Sequence, residues 1–233
     1  MKKIGILLFL VTLALGVVVG NLFSWGNATG RIFNFSLNIG GVKGSGRTAS
    51  ESRDVSGFNA IDVGGVFQVE ITAQKEFGIE VEADDNLLPL ITTEVRNGVL
   101  VITAKRKLKS GNPVKVRISA PELVGLDVSG AARVSVQELR SELFNVDASG
   151  ASKITIEGEV SNLVMDVSGA TKVDGAGLAV RNANIDASGA SQVTMQVSGE
   201  LRADASGASR ISYSGMPSSV IKHTSGAGSV SQR

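Results

Sequence analysis

The chain has 233 residues, with 28 glycines, four prolines, no cysteine and ten aromatics. Lys+Arg 23 against Asp+Glu 22 leaves it near neutral, which excludes the counterion-driven grip of a general nucleic-acid binder. The missing thiol excludes disulfides, cysteine nucleophiles, Cys-type zinc sites and lipid-modified cysteine, and the single histidine, His223, leaves multi-His sites and familiar triads without their residues.

At the amino terminus, Met1-Lys2-Lys3 precedes the apolar run Ile4 to Val19, the charged and hydrophobic regions of an export signal. Residues 1–25 are read as a signal peptide or membrane anchor. The run is short for a span of about 20 residues, but Gly20 to Trp25 can extend it. Small residues at Gly26 and Ala28, or at Val18 and Gly20, are candidate cleavage positions. The protein is therefore expected outside the cytoplasm, in the periplasm or at the cell surface, with membrane contact through its N-terminus if the leader is uncleaved. Residues 26–52, which contain GGVKGSGRTASES, read as a flexible tether.

The remainder, 53–233, reads as one all-β domain. Its first part, 53–122, is divergent: Phe58 to Ile71 looks like an irregular copy of the later repeat, with Gly64 where the others have Ser, and is expected to be the first coil. Ile79 to Ala83, Thr93 to Arg96, Val99 to Ala104 and Val114 to Ser119 are strand candidates. Asn97-Gly98 joins the middle pair as an antiparallel hairpin. A short helical turn fits Asp85 to Leu90, interrupted by Pro89.

From 123 to 233 the chain repeats itself. Asp127-Val-Ser-Gly130-Ala, Asp147-Ala-Ser-Gly150-Ala, Asp166-Val-Ser-Gly169-Ala, Asp186-Ala-Ser-Gly189-Ala and Asp204-Ala-Ser-Gly207-Ala are followed by a degenerate His223-Thr-Ser-Gly226-Ala. Their leading residues are 20, 19, 20, 18 and 19 apart, too short a unit for two helices. Around each copy apolar and polar residues alternate at period 2, as in Phe144, Val146 and Ala148 against Asn145, Asp147 and Ser149. A unit of about 19 residues offers two or three short strands and cannot bury its own inner row. Stacking does: Val128, Ala148, Val167, Ala187 and Ala205 form one inward ladder, and Val134, Ile154, Val173, Val193 and Ile211 another. The predicted fold is a parallel β-solenoid, right-handed because parallel crossovers are overwhelmingly so. The motif glycine is placed at a corner needing positive φ or close backbone approach.

With Arg53-Asp-Val-Ser-Gly-Phe58, Ile61-Asp-Val-Gly-Gly-Val-Phe-Gln-Val-Glu-Ile71 and the repeated D-x-S-G-A set, the chain resembles the family described as "putative auto-transporter adhesin, head GIN domain" over roughly Arg53 to Ser229. The resemblance implies an extracytoplasmic β-helix and carries no catalytic residues. Many similar proteins have a lipoprotein cysteine, which this chain lacks.

The stacked aspartates must repel. Three compensations present themselves: calcium, a basic column at Arg133, Lys153, Lys172, Gln192 and Arg210, or turn hydrogen bonds to the carboxylates. The last two together are preferred, since calcium wants six or more oxygens. No metal, cofactor or catalytic group is assigned. Asp84-Asp85 and Glu157/Glu159 are the carboxylate pairs a glycosidase would need, but they read more simply as a turn and solvated strand faces. Ala132, Ser152, Thr171, Ser191 and Ser209, with Ser129, Ser149, Ser168, Ser188 and Ser206, would give a hydroxyl-rich surface able to bind a glycan or partner protein, but they read more simply as small residues fitting a tight corner. The expected function is non-catalytic: an adhesin or surface-binding scaffold of the envelope, with a glycan or surface protein as partner. A self-assembling structural solenoid and, less favoured, a polysaccharide-active enzyme are the alternatives.

Overall fold

The computed structural model describes residues 40–233; the leader expected over 1–25, and the first part of the expected tether, lie outside them. Among the described residues eighteen strands follow one another. The N-terminal part holds β1 (Val42–Lys43), β2 (Thr48–Arg53), β3 (Ala60–Gly65), β4 (Gln68–Ala73), β5 (Gly78–Asp84), β6 (Ile91–Arg96), β7 (Val99–Ala104), β8 (Leu108–Lys109) and β9 (Lys115–Ala120). The repeats supply β10 (Gly125–Gly130), β11 (Arg133–Ala148), β12 (Lys153–Val167), β13 (Lys172–Ala187), β14 (Gln192–Val197), β15 (Glu200–Ala205), β16 (Arg210–Ser214), β17 (Ser219–Thr224) and β18 (Ser229–Gln232). The expected helical turn is a single 3-10 turn, Leu88–Leu90, with Pro89 in its first positions, where its missing N–H costs nothing.

The architecture is a β-solenoid. One column of parallel strands runs β7, β3, β10, the end of β11, the end of β12, the end of β13, β15 and β17. A second runs β9, β4, then the starts of β11, β12 and β13, then β14, β16 and β18. Seven steps of about 4.8 Å make each column roughly 34 Å tall. The inward ladders are fully buried: Val63, Val128, Ala148, Val167, Ala187 and Ala205 on the first column, Val134, Ile154, Val173, Val193 and Ile211 on the second. Phe144 is the bulkiest fully buried side chain. Where Met195 enters the core, the facing level has Gly175, whose absent Cβ would overlap the methionine sulfur.

Three sequence expectations are corrected here. The short strands expected within each repeat are found only in the last repeats, where β14 to β17 have five or six residues; in the middle ones β11, β12 and β13 run unbroken for 16, 15 and 16 residues, bending at register shifts rather than at loops, as between Val136 and Leu139. Phe58 to Ile71 is not the first level of the stack. β3 and β4 lie between β10/β11 on one side and β7/β9 on the other, so a later segment of the chain closes the stack beneath them. The end of the expected tether, 48–52, is instead strand β2, antiparallel to β5 from Thr48↔Asp84 to Arg53↔Ile79; its polar residues serve an edge strand, where only backbone pairing is required.

This end of the solenoid is finished by antiparallel strands, β6 on β7 and β5 on β9. The β6–β7 hairpin turns at Asn97 (φ 52°) and Gly98 (φ 78°), the two positive φ values of a type I′ turn. Lys115 Nζ to Glu82 (2.9 Å) and Arg117 Nη1 to Glu80 (3.1 Å) tie β9 to β5 across the register; the Lys115 hydrogen bond, ahead of the nearby charges, holds the Glu82 carboxyl below its usual range.

Candidate functional site: an aspartate column on one edge

The corner between the two strand columns repeats the same geometry at each level. At Gly150 φ is +85°, and an added Cβ would collide with the Gly130 carbonyl oxygen. That carbonyl sits there because it accepts the Ala151 N–H at 2.7 Å, as the Gly150 carbonyl accepts the Ala170 N–H at 2.8 Å one level on. Glycine is thus demanded twice, by backbone conformation and by the backbone of the neighbouring coil. The corners Gly130, Gly169, Gly189, Gly207 and Gly226 share the positive φ.

Just before each corner stands the acid. The strand register pairs Asp62 with Asp127, Asp127 with Asp147, Asp147 with Asp166, Asp166 with Asp186, Asp186 with Asp204 and Asp204 with His223. Six carboxylates therefore climb one edge at about strand spacing. Asp62 joins them through the divergent copy, where Ile61-Asp62-Val63 was the only sequence signal. Partial burial, then the charges of Asp62 and Asp147, raise the Asp127 carboxyl above its ordinary range. Burial, then Asp204 and Asp166, do the same at Asp186, against a smaller opposing pull from Arg202.

The expected compensations are only partly made. Among the described residues no ion pair joins the aspartates to Arg133, Lys153, Lys172 or Arg210, since the corner puts the two sets on different strands and faces. Nor do Asp62, Asp127, Asp147, Asp166 or Asp186 accept a hydrogen bond from a protein donor among the described residues. Relief comes at the last levels instead. His223 Nδ1 lies 2.9 Å from Asp204 Oδ1 and Arg202 Nε 3.2 Å from its Oδ2, so the histidine that replaces the motif aspartate ends the run of like charge with a partner for it. Arg202 carried no sequence signal beyond lying two residues before Asp204, on the same strand face.

The hydroxyls divide in two. Ser129, Ser149, Ser168, Ser188 and Ser206 lie half-buried at the edge, but Ser152, Thr171, Ser191 and Ser209 are buried. They belong to the inside of the corner, as the small-residue reading has it, and not to a hydroxyl-rich surface. Ser209 Oγ donates to the Ala187 carbonyl at 2.9 Å, while Thr171 Oγ1 and Ser191 Oγ have no hydrogen-bond partner among the described residues. At the C-terminal end of the column, Asp166, Asp186, Asp204, Ser188, Ser206 and His223 line an open groove of about 420 Å³.

Of the carboxylate pairs weighed for hydrolysis, Asp84-Asp85 is engaged otherwise and Glu157/Glu159 lies on an open strand face. Asp84 is buried and accepts hydrogen bonds from Ser110 Oγ (2.8 Å) and Asn112 Nδ2 (3.0 Å), the Asn112 bond foremost in holding its carboxyl low. Asp85 meets Arg47 at 2.8 Å. Glu157 and Glu159 are exposed on β12, either side of Gly158. Among the described residues no group of three or more His, Cys, Asp or Glu side chains is set to hold a metal ion.

The family model described as "Putative auto-transporter adhesin, head GIN domain" matches residues 57–217. The chain belongs to that family. This head GIN domain is similar to a "putative adhesin" from Bacteroides fragilis, at 19% identity over 83% of this chain and 100% of that one, with a TM-score of 0.68. A second "putative adhesin", from Parabacteroides merdae, matches at 19% identity over 82% and 98% of the two chains, TM-score 0.54. A "putative lipid binding protein" from Parabacteroides distasonis matches at 17% identity over 82% and 99%, TM-score 0.50. At these identities the likeness is one of fold. No curated protein matches the chain.

Proposed function

We propose that this head GIN domain is an exported, non-catalytic surface-binding module of the cell envelope, with the aspartate edge as its contact face and an envelope glycan or surface protein as its ligand. The observation that carries this reading is the column of six register-matched carboxylates, flanked by serines, on a rigid ladder ending in an open groove. Side chains repeated at strand spacing favour a repetitive ligand, because each level offers the same weak contact and the contacts add. Among the described residues no helix is long and apolar enough to cross a membrane, so any N-terminal anchorage is assigned to the leader.

The test is a binding screen of the full chain against envelope polysaccharides and proteins of its source, beside an Asp166→Lys/Asp186→Lys variant. Binding that the variant loses supports the reading; binding that it retains puts the contact face elsewhere; turnover of any polysaccharide ends the non-catalytic claim.

End-to-end self-assembly has one observation in its favour. β17 and β18 leave their outer backbone edges uncovered, with Ile221 49% exposed. At the opposite end β6 and β2 are likewise paired on one side only, but they run antiparallel to the strands beneath them, so a copy stacked there does not continue the parallel ladder. A constant elution volume over rising concentration eliminates it.

A further inference from the structure

A second surface lies at the opposite end of the stack. The loop after β7 reads Lys105-Arg106-Lys107-Leu108-Lys109; all four cations are exposed, and none forms an ion pair among the described residues. Lys107 and Arg106 border an open groove of about 600 Å³ that also takes in Arg133, Phe67, Leu108 and Val66, and Val66 is 74% exposed. Cations around an apolar groove with a bare aliphatic side chain beside it match an interface whose headgroups are anionic and whose interior is hydrocarbon.

The chain path adds a second, independent argument. The described body begins at this loop: Val42 N donates to the Lys107 carbonyl at 2.8 Å and Gly44 N to the Lys109 carbonyl at 2.9 Å, pairing β1 in parallel with β8 and bringing exposed Lys43 opposite Lys109. Upstream in sequence, the apolar run ends at Val19. The intervening residues, even fully extended, span no more than roughly 80 Å. A body held to a bilayer through that run is thus hydrogen-bonded to its tether at the polybasic loop.

We propose that the loop 105–109, with Lys43, Arg133 and Val66, is a docking surface for the anionic phospholipid face of a bilayer. It orients the solenoid with its antiparallel end toward the membrane and its aspartate column rising away, so that column and the anionic headgroups are kept apart, while Glu80, Glu82 and Asp85 at this end are paired with Arg117, Lys115 and Arg47. It relies on the envelope reading only for the presence of a membrane, not for the ligand of the aspartate edge.

The experiment is lysine footprinting of the full chain with vesicles of phosphatidylcholine alone or of equimolar phosphatidylcholine and phosphatidylglycerol, with Lys172 on the second column as internal control. The expected result is protection of Lys105, Lys107 and Lys109, but not Lys172, on anionic vesicles only, and its loss at high salt. Each basic residue contributes about fivefold to partitioning, so Arg106→Glu/Lys109→Glu should weaken it roughly 25-fold or more and restore labelling of Lys105 and Lys107. Asp166→Lys/Asp186→Lys should leave the protection intact, which separates this surface from the aspartate edge. Equal protection on neutral and anionic vesicles, or equal protection by soluble dextran sulfate, would overturn the proposal, the latter in favour of a polyanionic glycan.

Discussion

Replacing Gly150 with alanine tests the corner geometry on which the stack depends. Two costs are separable. An L-residue at φ +85° costs about 1–2 kcal/mol. In addition, the new methyl must displace the Gly130 carbonyl, which accepts the Ala151 N–H at 2.7 Å; leaving that pair poorly satisfied costs about 1–3 kcal/mol more. The sum of about 2–5 kcal/mol corresponds to a urea midpoint lowered by roughly 1–2 M. Two other glycines calibrate it. Gly46 has φ +82° with nothing within 4 Å of an added Cβ, so Gly46→Ala should show the conformational cost alone. Gly111 has neither constraint, and Gly111→Ala should be close to neutral. Equilibrium urea unfolding followed by circular dichroism should rank them Gly150, Gly46, Gly111 in decreasing cost. A Gly150→Ala midpoint equal to that of Gly46→Ala refutes the inter-coil contact, and one equal to that of Gly111→Ala refutes the corner argument altogether.

Asp127 has a folded-state pKa raised by burial and then by Asp62 and Asp147, so its ionised form is disfavoured in the fold. Stability therefore falls as pH rises from the ordinary carboxylate value through the raised one, and the penalty persists at neutral pH. Asp127→Asn should raise the urea midpoint at pH 7 and lose that advantage below about pH 4; a lowered midpoint, or an advantage independent of pH, contradicts this. Ser209→Ala removes a buried hydrogen bond and should cost about 1 kcal/mol, whereas Ser191→Ala removes an unpartnered hydroxyl and should be neutral or stabilising; thermal melts showing the reverse order would contradict the assignment of the corner hydroxyls. Millimolar calcium should leave Tm unchanged, because a cation needs about six to eight oxygens near 2.4 Å and the column supplies one carboxylate per level about 4.8 Å apart; a rise of several degrees would restore calcium as the compensating charge.

Much of this protein was legible in its residues because the repeat is local and self-indexing. The spacing from Asp127 to His223 and the period-2 alternation of Phe144, Val146 and Ala148 determine strand, face and register together: a slip by one residue would turn every valine and alanine of the inward ladder to solvent. Asn97-Gly98 identified its own hairpin for a similar reason, since two positive φ values are a property of the dipeptide. What only tertiary structure decided is where segments without that index pair. The order of levels at the antiparallel end, with β7 and β9 beneath β3 and β4, comes from long-range backbone pairing that leaves no periodic trace, and the polar sequence of β2 concealed an edge strand. The same holds for charge. The six-residue step from Asp127 to Arg133 suggested neighbouring columns, but the corner between them turns the two side chains to different faces, and only the folded chain brings Lys107 and Lys109 beside Val42 and Gly44. Sequence sets what repeats along one strand direction; the meeting of unlike segments depends on the stack closing around a shared core, and that is a property of the whole fold.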